Sequence, residues 1–556
     1  MKPLRPFPKG RRPRSGDVEA IRTLIRDLPR DPSLLVEYLH CIQDAYGGLS
    51  RDHLCALAAV LELPMAQVYE TASFYHHFDI YPRNAPRDRV TVRVCTSPSC
   101  AMAGGEQLLE TLTAQSDPDK LRVVSAPCMG RCHRAPNAAV GQNYLEKAEA
   151  TDVLDAALNR HTSPRVPTHE SLAEYLFARQ GYQALERCRQ GHCTVSGILD
   201  NLDAAGLRGL GGAGFPSNRK WEVVRSGKPP RYLCVNADEG EPGTFKDRHY
   251  LTSQPHQFLE GVLIAQWAVA ADLVYIYLRD EYPECREILR KEIQLLEDRG
   301  IAPAGMLELR RGAGAYICGE ESAMIESLEG KRGLPRQRPP FVAEVGLFGR
   351  PTLVHNVETL FWISDILRRG GQWFADHGDA EHKGLRSYSV SGRVKNPGVK
   401  LAPAGTTARE LIETYCGGMA AGHTFAAYLP GGASGGILPA DLGDLPLDFG
   451  SLEPHGCFVG SHAVVILSQE DDLPALARNL VAFFCHESCG QCTPCRVGCE
   501  KLLDLISAEN WDLPLIQSLS QTMQDASICG LGQAAPNPVL SILRHFPQAV
   551  PAKERP

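Results

Sequence analysis

Cysteines near the carboxyl end of the sequence have the spacing of cluster ligands. Cys489, Cys492 and Cys495 stand three residues apart, and Cys529 follows later in a glycine-flanked turn. Two consecutive C-x2-C steps with one distant cysteine are typical of a [4Fe–4S] cluster and rare in zinc sites. The spacing therefore predicts a [4Fe–4S] site on these four residues. Two flanking residues compete with Cys529 for the fourth position, namely Cys485 and Cys499.

A second group of cysteines lies nearer the amino end. Cys95 and Cys100 follow one strand pattern, and Cys128 and Cys132 follow another. Two loops that each present two thiolates can converge on one metal centre, either a [2Fe–2S] cluster or a tetrahedral zinc. Spacing alone does not decide between these, and unligated free thiols are a third interpretation. The cluster signal at the other end of the chain favours [2Fe–2S].

A glycine-rich stretch between the two cysteine groups predicts a cofactor cradle. Without Cβ atoms, its backbone N–H groups can approach a phosphate closely, and Lys220 adds a positive charge. The glycines are Gly209, Gly211, Gly212 and Gly214. The segment that follows supplies acceptors suited to a sugar or a ribityl chain, namely Asn236, Asp238, Glu239 and Glu241. These features together indicate a nucleotide or flavin cradle.

The same glycines match the G-x-G-x-x-G pattern of dinucleotide folds, but the strand that should precede that pattern is absent. Residues 194–206 instead have helical apolar spacing and end in Gly206, which suits a helix C-terminus. A flexible glycine turn is the alternative to a cradle. The acidic segment 236–241 favours the cradle.

A third segment, residues 311–322, combines glycines with an aromatic and two acidic side chains. Tyr316 can stack on a flat ring or pack in a core. Glu320 and Glu321 stand where a helix begins, so they either stabilise its N-terminus or line a ligand pocket beside the glycine turn. As adjacent residues they point in different directions, which argues against an acid–base pair.

Length and composition fit a multidomain protein without a membrane or nucleic-acid surface. The chain has 556 residues, a hydrophobic fraction of 43% and a net charge of -7, which argues against general nucleic-acid binding. We find no apolar run long enough for a membrane span or a secretory signal. Nineteen cysteines without an export signal indicate metal ligation in a reducing compartment, so we expect a cytoplasmic protein.

The order of elements predicts a multidomain α/β fold. Helical spacing begins at residue 17, strand and helix patterns alternate over 89–140 and 233–297, and the last hundred residues are helical. Between them lies a β-rich region whose glycine loop, 430–436, either closes over a ligand or makes a tight turn. A flavin takes electrons in pairs and clusters take them singly, so the combination predicts a two-to-one electron converter.

Four motifs in this sequence resemble the 51 kDa flavoprotein subunit of respiratory complex I. They are Gly-Leu-Gly-Gly-Ala-Gly-Phe-Pro at 209–216, Asn-Ala-Asp-Glu-Gly-Glu-Pro-Gly-Thr-Phe-Lys-Asp at 236–247, Gly-Ala-Tyr-Ile-Cys-Gly-Glu-Glu at 314–321 and Glu-Ser-Cys-Gly-Gln-Cys-Thr-Pro-Cys-Arg at 487–496. Residues 26–160, with their C-x4-C and C-x3-C pairs, resemble its 24 kDa thioredoxin-like ferredoxin partner. Such a fusion is most similar to the β (diaphorase) subunit of soluble NAD-dependent formate dehydrogenases that contain molybdenum or tungsten.

The resemblance implies FMN, NAD, [2Fe–2S] and [4Fe–4S] as cofactors and assigns residues to each. FMN would be held by Gly209, Gly211, Gly212, Gly214, Lys220, Asn236, Asp238, Glu239, Tyr316, Gly319, Glu320 and Asn356. NAD would be faced by Phe215, Glu241, Glu321 and Phe341. The [2Fe–2S] cluster would be held by Cys95, Cys100, Cys128 and Cys132, and the [4Fe–4S] cluster by Cys489, Cys492, Cys495 and Cys529.

The expected domain order combines the resemblance with residue composition, which predicts the tail and the linker. A docking arm for a partner is the alternative to a disordered tail. A basic disordered tail, residues 1–25, precedes a helical domain, a thioredoxin-like [2Fe–2S] domain and a linker, at 26–85, 86–162 and 163–190. The larger half would hold an FMN/NAD-binding α/β domain, a ubiquitin-like β-grasp (soluble-ligand-binding) domain and a helical [4Fe–4S] domain, at 191–382, 383–470 and 471–550.

The implied function is that of a diaphorase subunit. Electrons would pass between NAD(H) at FMN and the clusters of a partner that oxidises formate at a molybdopterin centre. Alternatives in the same class are the diaphorase subunit of an NAD-reducing hydrogenase and the NADH-input module of complex I. The four amino-terminal cysteines disfavour the hydrogenase, whose corresponding domain is often degenerate. From another class, the alternative is a non-enzymatic scaffold stabilised by zinc.

Three positions depart from the complex I pattern. Leu210 stands where an arginine is common, His355 replaces the first of two asparagines, and Arg338 replaces a lysine. Loss of the arginine removes one possible contact to a phosphate or a ring.

Overall fold

The computed structural model describes residues 11–81 and 89–551. Its amino-terminal unit is helical, with one short parallel strand pair joining Leu49 to Ile80. The elements are α1 (Ser15–Leu24), α2 (Leu35–Tyr46), β1 (Leu49–Ser50), α3 (Arg51–Leu61), α4 (Met65–Phe74) and β2 (Ile80–Tyr81). Apolar residues at helical spacing face inward, and the Ser50 side chain caps the start of α3.

The prediction of a basic disordered tail over residues 1–25 is wrong from Ser15 onward, because α1 begins there. Ile21 and Ile25 are buried because the helical spacing beginning at residue 17 gives α1 an apolar face, and that face packs on α3. Arg11 forms an ion pair with Asp52 at 3.1 Å. The part of the predicted tail over residues 1–10 lies outside the described residues.

The next unit holds a four-stranded sheet in the order β4-β3-β5-β6, with β3 and β4 parallel and the other pairs antiparallel. Its elements are β3 (Val90–Cys95), α5 (Pro98–Met102), α6 (Gly105–Gln115), β4 (Leu121–Ala126), β5 (Asn137–Val140), β6 (Asn143–Glu146) and α7 (Ala150–Leu158). Because β3 and β4 are parallel, their carboxyl ends lie at one edge of the sheet. Both cysteine pairs leave from that edge.

The central unit is a fully parallel sheet in the order β10-β7-β8-β9, with helices packed on it. Its strands are β7 (Tyr232–Ala237), β8 (Leu273–Leu278), β9 (Leu307–Arg311) and β10 (Thr352–Asn356). Its helices are α8 (Leu172–Arg179), α9 (Gln183–Arg189), α10 (Val195–Ala205), α11 (Ser217–Ser226), α12 (Lys246–Ser253), α13 (Pro255–Val269), α14 (Pro283–Asp298), α15 (Glu321–Leu328), α16 (Val357–Phe361), α17 (Ile363–Arg369) and α18 (Gly371–Ala375). The predicted alternation of strand and helix is confirmed, and burial on both faces explains the continuous apolar run of β8.

The prediction of a linker over residues 163–190 is wrong from Leu172 onward, because α8 and then α9 form there. The Tyr175 hydroxyl donates to Glu260 of α13 at 2.5 Å, and Tyr182 shares a 3.1 Å hydrogen bond with His256 of the same helix. The apolar side of both helices is buried in the core of the central unit. Prolines and polar residues before Leu172 suggested a linker. The sequence did not reveal the packing of α8 and α9, because Tyr175 and Tyr182 are anchored by residues of α13 that lie far along the chain.

A third sheet follows, in the order β12-β11-β15-β13-β14. Its elements are β11 (Leu385–Gly392), β12 (Gly398–Pro403), α19 (Ala408–Glu410), β13 (Phe425–Leu429), β14 (Leu438–Pro439) and β15 (Ala463–Ser468). A π-helical turn, Leu411–Tyr415, continues α19. The first and last strands are parallel neighbours at the centre, and every other pair is antiparallel.

The carboxyl-terminal unit is helical, as predicted. Its helices are α20 (Leu473–Glu487), α21 (Thr493–Ser507), α22 (Leu513–Ala526), α23 (Gly530–Ala534) and α24 (Asn537–His545). Cys489 lies between α20 and α21, and Cys529 directly precedes α23. Within the described ranges no helix is both long and apolar enough to cross a membrane.

Candidate functional site

A cavity of about 300 Å³ opens where the carboxyl ends of β7 and β10 meet the glycine loop and α23. The carboxyl edge of a parallel sheet is the usual place for a ligand in such folds. Predicted residues that line the cavity are Gly211, Gly212, Asn236, Asp238, Glu239, Glu241, Tyr316, Gly319, Glu320 and Asn356. The tertiary structure thus gathers three separate sequence motifs around one space.

The glycine loop is closed by its own backbone. The Gly209 N–H donates to the Phe215 carbonyl at 2.9 Å, and the Gly214 N–H donates to the Gly209 carbonyl at 3.2 Å. At Gly214, with φ of +63°, a Cβ atom would lie 2.8 Å from the Phe449 ring. These two glycines shape the turn, whereas Gly211 and Gly212 form the cavity wall. The helix predicted before the loop is confirmed as α10, with Gly206 as its left-handed C-cap.

Asp238 supplies the clearest sign that the cavity fits a hydroxyl-bearing ligand. Among the described residues its Oδ2 atom is buried and has no hydrogen-bond partner. Burial raises the pKa of this carboxyl well above its ordinary value. A donor from a ribityl or ribose hydroxyl would satisfy the oxygen, since a buried unpaired acceptor is costly. Nearby, Asn236 is held by a 2.8 Å hydrogen bond from its amide to the Gly319 carbonyl.

Glu239 and Glu241 face the same cavity but are held by different partners. Glu239 accepts from the backbone N–H of Asp247 at 2.8 Å and from the Tyr282 hydroxyl at 2.8 Å. Burial, together with the neighbouring Asp247 carboxylate, raises the pKa of Glu239 to about 7. Glu241 accepts from the Tyr316 hydroxyl and from Ser434, whose backbone N–H and hydroxyl each lie 2.8 Å away. Its pKa is likewise raised by burial.

The charged residues at the start of α15 do not all reach the cavity. Glu320 caps the helix by accepting from the Ser322 and Ala323 N–H groups at 3.0 and 2.9 Å, and it lines the cavity edge. Glu321 forms an ion pair with Lys220 at 2.9 Å. Neither Lys220 nor Glu321 is part of the cavity wall. Both expected roles of the acidic pair, helix capping and pocket lining, are therefore present at Glu320.

The two phenylalanines expected to face NAD lie apart from the cavity wall. Phe215 and Phe341 are about half exposed, at 51% and 53%. Their contact with NAD stays a prediction.

The three residues that depart from the complex I pattern each contact a defined partner. Leu210 is fully buried, and its N–H donates to the Thr359 hydroxyl at 2.9 Å. His355 is buried and accepts from the Trp221 indole at 2.7 Å, and burial holds its pKa well below the ordinary value. Arg338 pairs with Glu320 and Glu321.

Several cavity residues were missed by sequence reasoning. Lys246 is the most informative, because its ammonium is buried between Asp247 at 2.8 Å and Glu358 at 3.0 Å. Burial alone would lower the pKa of Lys246, but these carboxylates raise it above its ordinary value. Further lining residues outside the predicted set are Gly240, Thr244, Asp247, Ile317, Ser434, Phe458, Gly460, Ser461, Gly530, Leu531 and Ala534. The signal for Lys246 was available, since it lies in the acidic motif itself.

The amino-terminal cysteines come together at the edge of their sheet. All four are at most 5% exposed. The sulfur atoms of Cys128 and Cys132 are 3.1 Å apart, and the Asn137 amide donates to the sulfur of Cys100 at 3.3 Å. The hydrogen bond from Cys132 lowers the pKa of Cys128 to about 6, and the one with Cys100 raises that of Cys95. Four thiols buried in this way suit a cluster, since the thiolate is the ligand form.

The carboxyl-terminal cysteines line one small cavity. Cys489, Cys492, Cys495 and Cys529 all form its wall. The two competitors are not part of this wall. The Cys499 thiol lies behind it, where it hydrogen-bonds both Cys485 of α20 and the ligand Cys495 of its own helix, α21. The donor set therefore fits the predicted [4Fe–4S] cluster with Cys529 in the fourth position.

Two apolar side chains separate the carboxyl-terminal cysteine cavity from the glycine-loop cavity. Ile317 and Leu531 line both spaces. A cluster held by these cysteines and a flavin in the cradle would share this wall.

Comparison with known proteins agrees with this arrangement. The thioredoxin-like [2Fe–2S] ferredoxin model matches residues 21–160, the Nuo51 FMN-binding domain model matches 202–365, and the NADH-ubiquinone oxidoreductase-F iron–sulfur binding region model matches 475–553. These matches establish FMN, NAD, [2Fe–2S] and [4Fe–4S] as the cofactors. Fold and site together define an NAD-dependent iron–sulfur flavoprotein.

Curated relatives show the family. An NADH-quinone oxidoreductase subunit of Rhizobium meliloti (strain 1021) is 40% identical over 396 residues, covering 68% of this chain and 94% of that protein. An NADH-quinone oxidoreductase subunit of Aquifex aeolicus (strain VF5) is 40% identical over 418 residues, covering 73% of this chain and 95% of that protein. The chain belongs to the NADH dehydrogenase flavoprotein family, whose members pass electrons between NADH and iron–sulfur clusters.

A solved structure resembles almost the whole chain. A chain of the NAD+-reducing [NiFe]-hydrogenase in the H2-reduced state has a TM-score of 0.82 and 32% identity, covering 95% of this chain and 94% of that one. The likeness therefore includes the ferredoxin-like unit as well as the flavoprotein unit.

Proposed function

We propose that this chain is the diaphorase subunit of a formate dehydrogenase. It would exchange electrons between NAD(H) and a partner subunit that oxidises formate at a molybdopterin centre containing molybdenum or tungsten. The observation that carries this choice is the complete set of four cysteines in the amino-terminal unit, Cys95, Cys100, Cys128 and Cys132, buried at one sheet edge. In the resemblance described above, hydrogenase diaphorases often lack part of this set.

When bound, FMN would exchange electrons in pairs with NAD(H) and singly with the clusters. The chain's own residues position it. The backbone of Gly211 and Gly212 is open to a phosphate, and Asp238 offers its unpartnered oxygen to a hydroxyl. Tyr316 and Glu241 hold each other at the side of the cavity. Among the residues assigned to NAD, Glu241 lies on this wall, and Phe215, Glu321 and Phe341 would close the nicotinamide side.

Two further assignments belong to this proposal. The third sheet, with parallel first and last strands at its centre and a helix between the second and third, supports a ubiquitin-like β-grasp domain over 383–470. A reducing compartment, needed to keep nineteen cysteines available, supports a cytoplasmic location.

A second candidate function is the diaphorase subunit of an NAD-reducing hydrogenase. The full-length likeness to the hydrogenase chain favours it. The NADH-input module of complex I is less favoured, since the two NADH-quinone oxidoreductase relatives account for 68% and 73% of this chain.

The test uses the purified chain and the complex isolated with it. NADH oxidation with ferricyanide or a viologen checks the diaphorase, and formate with NAD+ then checks the complex. Formate-dependent NADH formation only in the complex would support the proposal. Dye reduction with no response to formate, but with a response to hydrogen, would move the assignment to the hydrogenase. No dye reduction despite bound FMN and iron would refute the nicotinamide site.

A further inference from the structure

Three side chains outside the flavin cavity bring metal-ligand atoms together. They are His76, His486 and Glu487, and their donor atoms all lie within 4.8 Å of one another. The imidazoles of His76 and His486 are stacked, with ring centres 4.1 Å apart and an angle of 22° between the planes. No motif in the sequence joins these residues, because His76 follows α4 and the other two end α20.

The backbone holds the three residues in place. The His76 N–H donates to the Gly314 carbonyl at 3.1 Å, which fixes the chain just after α4. Glu487 is only 4% exposed, and its Oε2 atom accepts from the Tyr316 N–H at 2.8 Å. Its Oε1 atom accepts from Nδ1 of His486 at 2.8 Å. The carboxylate is therefore oriented by a backbone donor, as metal-binding carboxylates usually are.

Solvent reaches the cluster from one side. The side chains of His76 and His486 are exposed, and both line a cavity of about 200 Å³ between the ferredoxin-like, central and carboxyl-terminal units. An ion thus has an entry path, while Glu487 forms the closed side of the site. The exposed imidazoles can rotate to bring the donors within the ~2.0–2.1 Å reach of a zinc ion.

Charges around the cavity do not prevent a cation from binding. Arg122 pairs with Asp79, and Arg279 pairs with Glu281 at 2.7 Å, so both guanidinium charges are offset. Arg93 is the remaining basic residue of the cavity wall, and Asp238 is an acidic one. His77, the neighbour of His76, is engaged with Asp280 at 2.7 Å.

We propose that His76, His486 and Glu487 form a binding site for a divalent first-row transition ion of the zinc type. Two imidazoles and one carboxylate are a known ligand set for Zn²⁺, with water in the fourth position. The ion would tie the end of α4 to the end of α20, and so the amino-terminal helical unit to the unit that carries the [4Fe–4S] cysteines. None of its three ligands is a cysteine of either cluster site.

Zinc binding to the holoprotein tests the site. The cluster-loaded, EDTA-washed protein is titrated with ZnCl₂ in a calorimeter, and zinc and iron are then counted by mass spectrometry after desalting. We expect one zinc per chain without loss of iron, and a higher Tm in zinc because only the folded chain presents the three ligands together. In H76Q and H486Q the dissociation constant should rise at least about ten-fold.

The matched control is H161Q, which removes an exposed histidine outside the cluster. It should bind zinc and gain Tm as the wild type does. Equal zinc affinity in the wild type and H76Q would overturn the proposal, and so would zinc uptake accompanied by iron release, which would place the zinc on the cluster cysteines. Because His76 and His486 are exposed, their glutamine variants should fold, and unchanged FMN and iron contents verify this.

Discussion

The guanidinium of Arg279 donates a hydrogen bond of 2.8 Å to the carbonyl oxygen of Cys128. The same side chain donates to the carbonyl of Glu239 in the flavin cradle and pairs with Glu281 at 2.7 Å. Burial alone would raise the pKa of Glu281, but Arg279 lowers it to about 2. One buried arginine thus joins the [2Fe–2S] loop to the FMN-binding unit.

Replacing Arg279 with methionine should remove the hydrogen bonds that join the [2Fe–2S] loop to the FMN-binding unit. The Glu281 carboxylate would remain buried with only His77 near it, at 3.9 Å, and removing one partner of a buried ion pair typically costs about 3 to 5 kcal/mol. We expect a lower Tm and a weaker [2Fe–2S] electron paramagnetic resonance signal per chain. Arg279→Lys keeps the charge but loses the forked geometry of the guanidinium, so its decrease in Tm and in the [2Fe–2S] signal should be intermediate. A methionine variant with wild-type Tm would contradict the linking role.

Cys529→Ser should remove the [4Fe–4S] cluster, because Cys529 lines the cavity with the other three ligands. Cys485→Ser is the matched control, since that thiol is not part of the cavity wall and hydrogen-bonds Cys499 instead. Iron content and the reduced-cluster signal distinguish the two. If Cys485→Ser lost the cluster and Cys529→Ser kept it, the assignment of the fourth ligand would be wrong.

Lys246→Met should weaken FMN binding more than Lys220→Met does. Lys246 is buried at the cavity between Asp247 and Glu358. Its loss leaves two carboxylates without a counter-charge, and such a change typically lowers the free energy of unfolding by about 3 to 5 kcal/mol. Lys220 is held by Glu321 outside the cavity wall. FMN released on filtration, measured by its fluorescence, gives the comparison. Greater release from the Lys220 variant would show that Lys220 turns toward the flavin.

The pH dependence of stability should contain a contribution from Glu239. Burial, with Asp247 beside it, raises the pKa of Glu239 from 4.5 to about 7 in the folded chain. The folded state therefore holds a proton that the unfolded chain releases, and this stabilisation is lost as the pH rises from about 4.5 to about 7. The difference corresponds to about 3 kcal/mol. In urea unfolding across this range, Glu239→Gln should show a flatter profile than the wild type, and identical profiles would contradict the assignment.

Local sequence patterns predicted individual elements well. The helical spacing before Gly206 predicted α10 instead of a Rossmann strand, because caps and periodicity are properties of neighbouring residues. The prediction of a linker over residues 163–190 was wrong because the structure of this segment depends on residues far away in the sequence. Tyr175 and Tyr182 are anchored by Glu260 and His256, which lie far along the chain and give no local signal.

The candidate site residues likewise divide into those that local motifs predicted and those whose position depends on long-range packing. Gly211, Asn236 and Asp238 were found from motifs, and the structure places them around one cavity. Ser434 reaches that cavity from the glycine loop 430–436, for which the sequence left ligand closure and a tight turn equally open. Lys220 was assigned to FMN from its motif, whereas its ammonium pairs with Glu321 in the structure, so its contact with FMN stays a prediction.

Ligand spacing and glycine-rich backbone are encoded over a few residues, so local motifs were enough to predict a [4Fe–4S] site and a nucleotide or flavin cradle. Only the tertiary structure selected Cys529 over Cys485, enclosed Lys246 with Glu358 and brought His76 to Glu487. Each of those relationships joins residues on different elements, and the helices and sheets set their distances only when the separate units pack together.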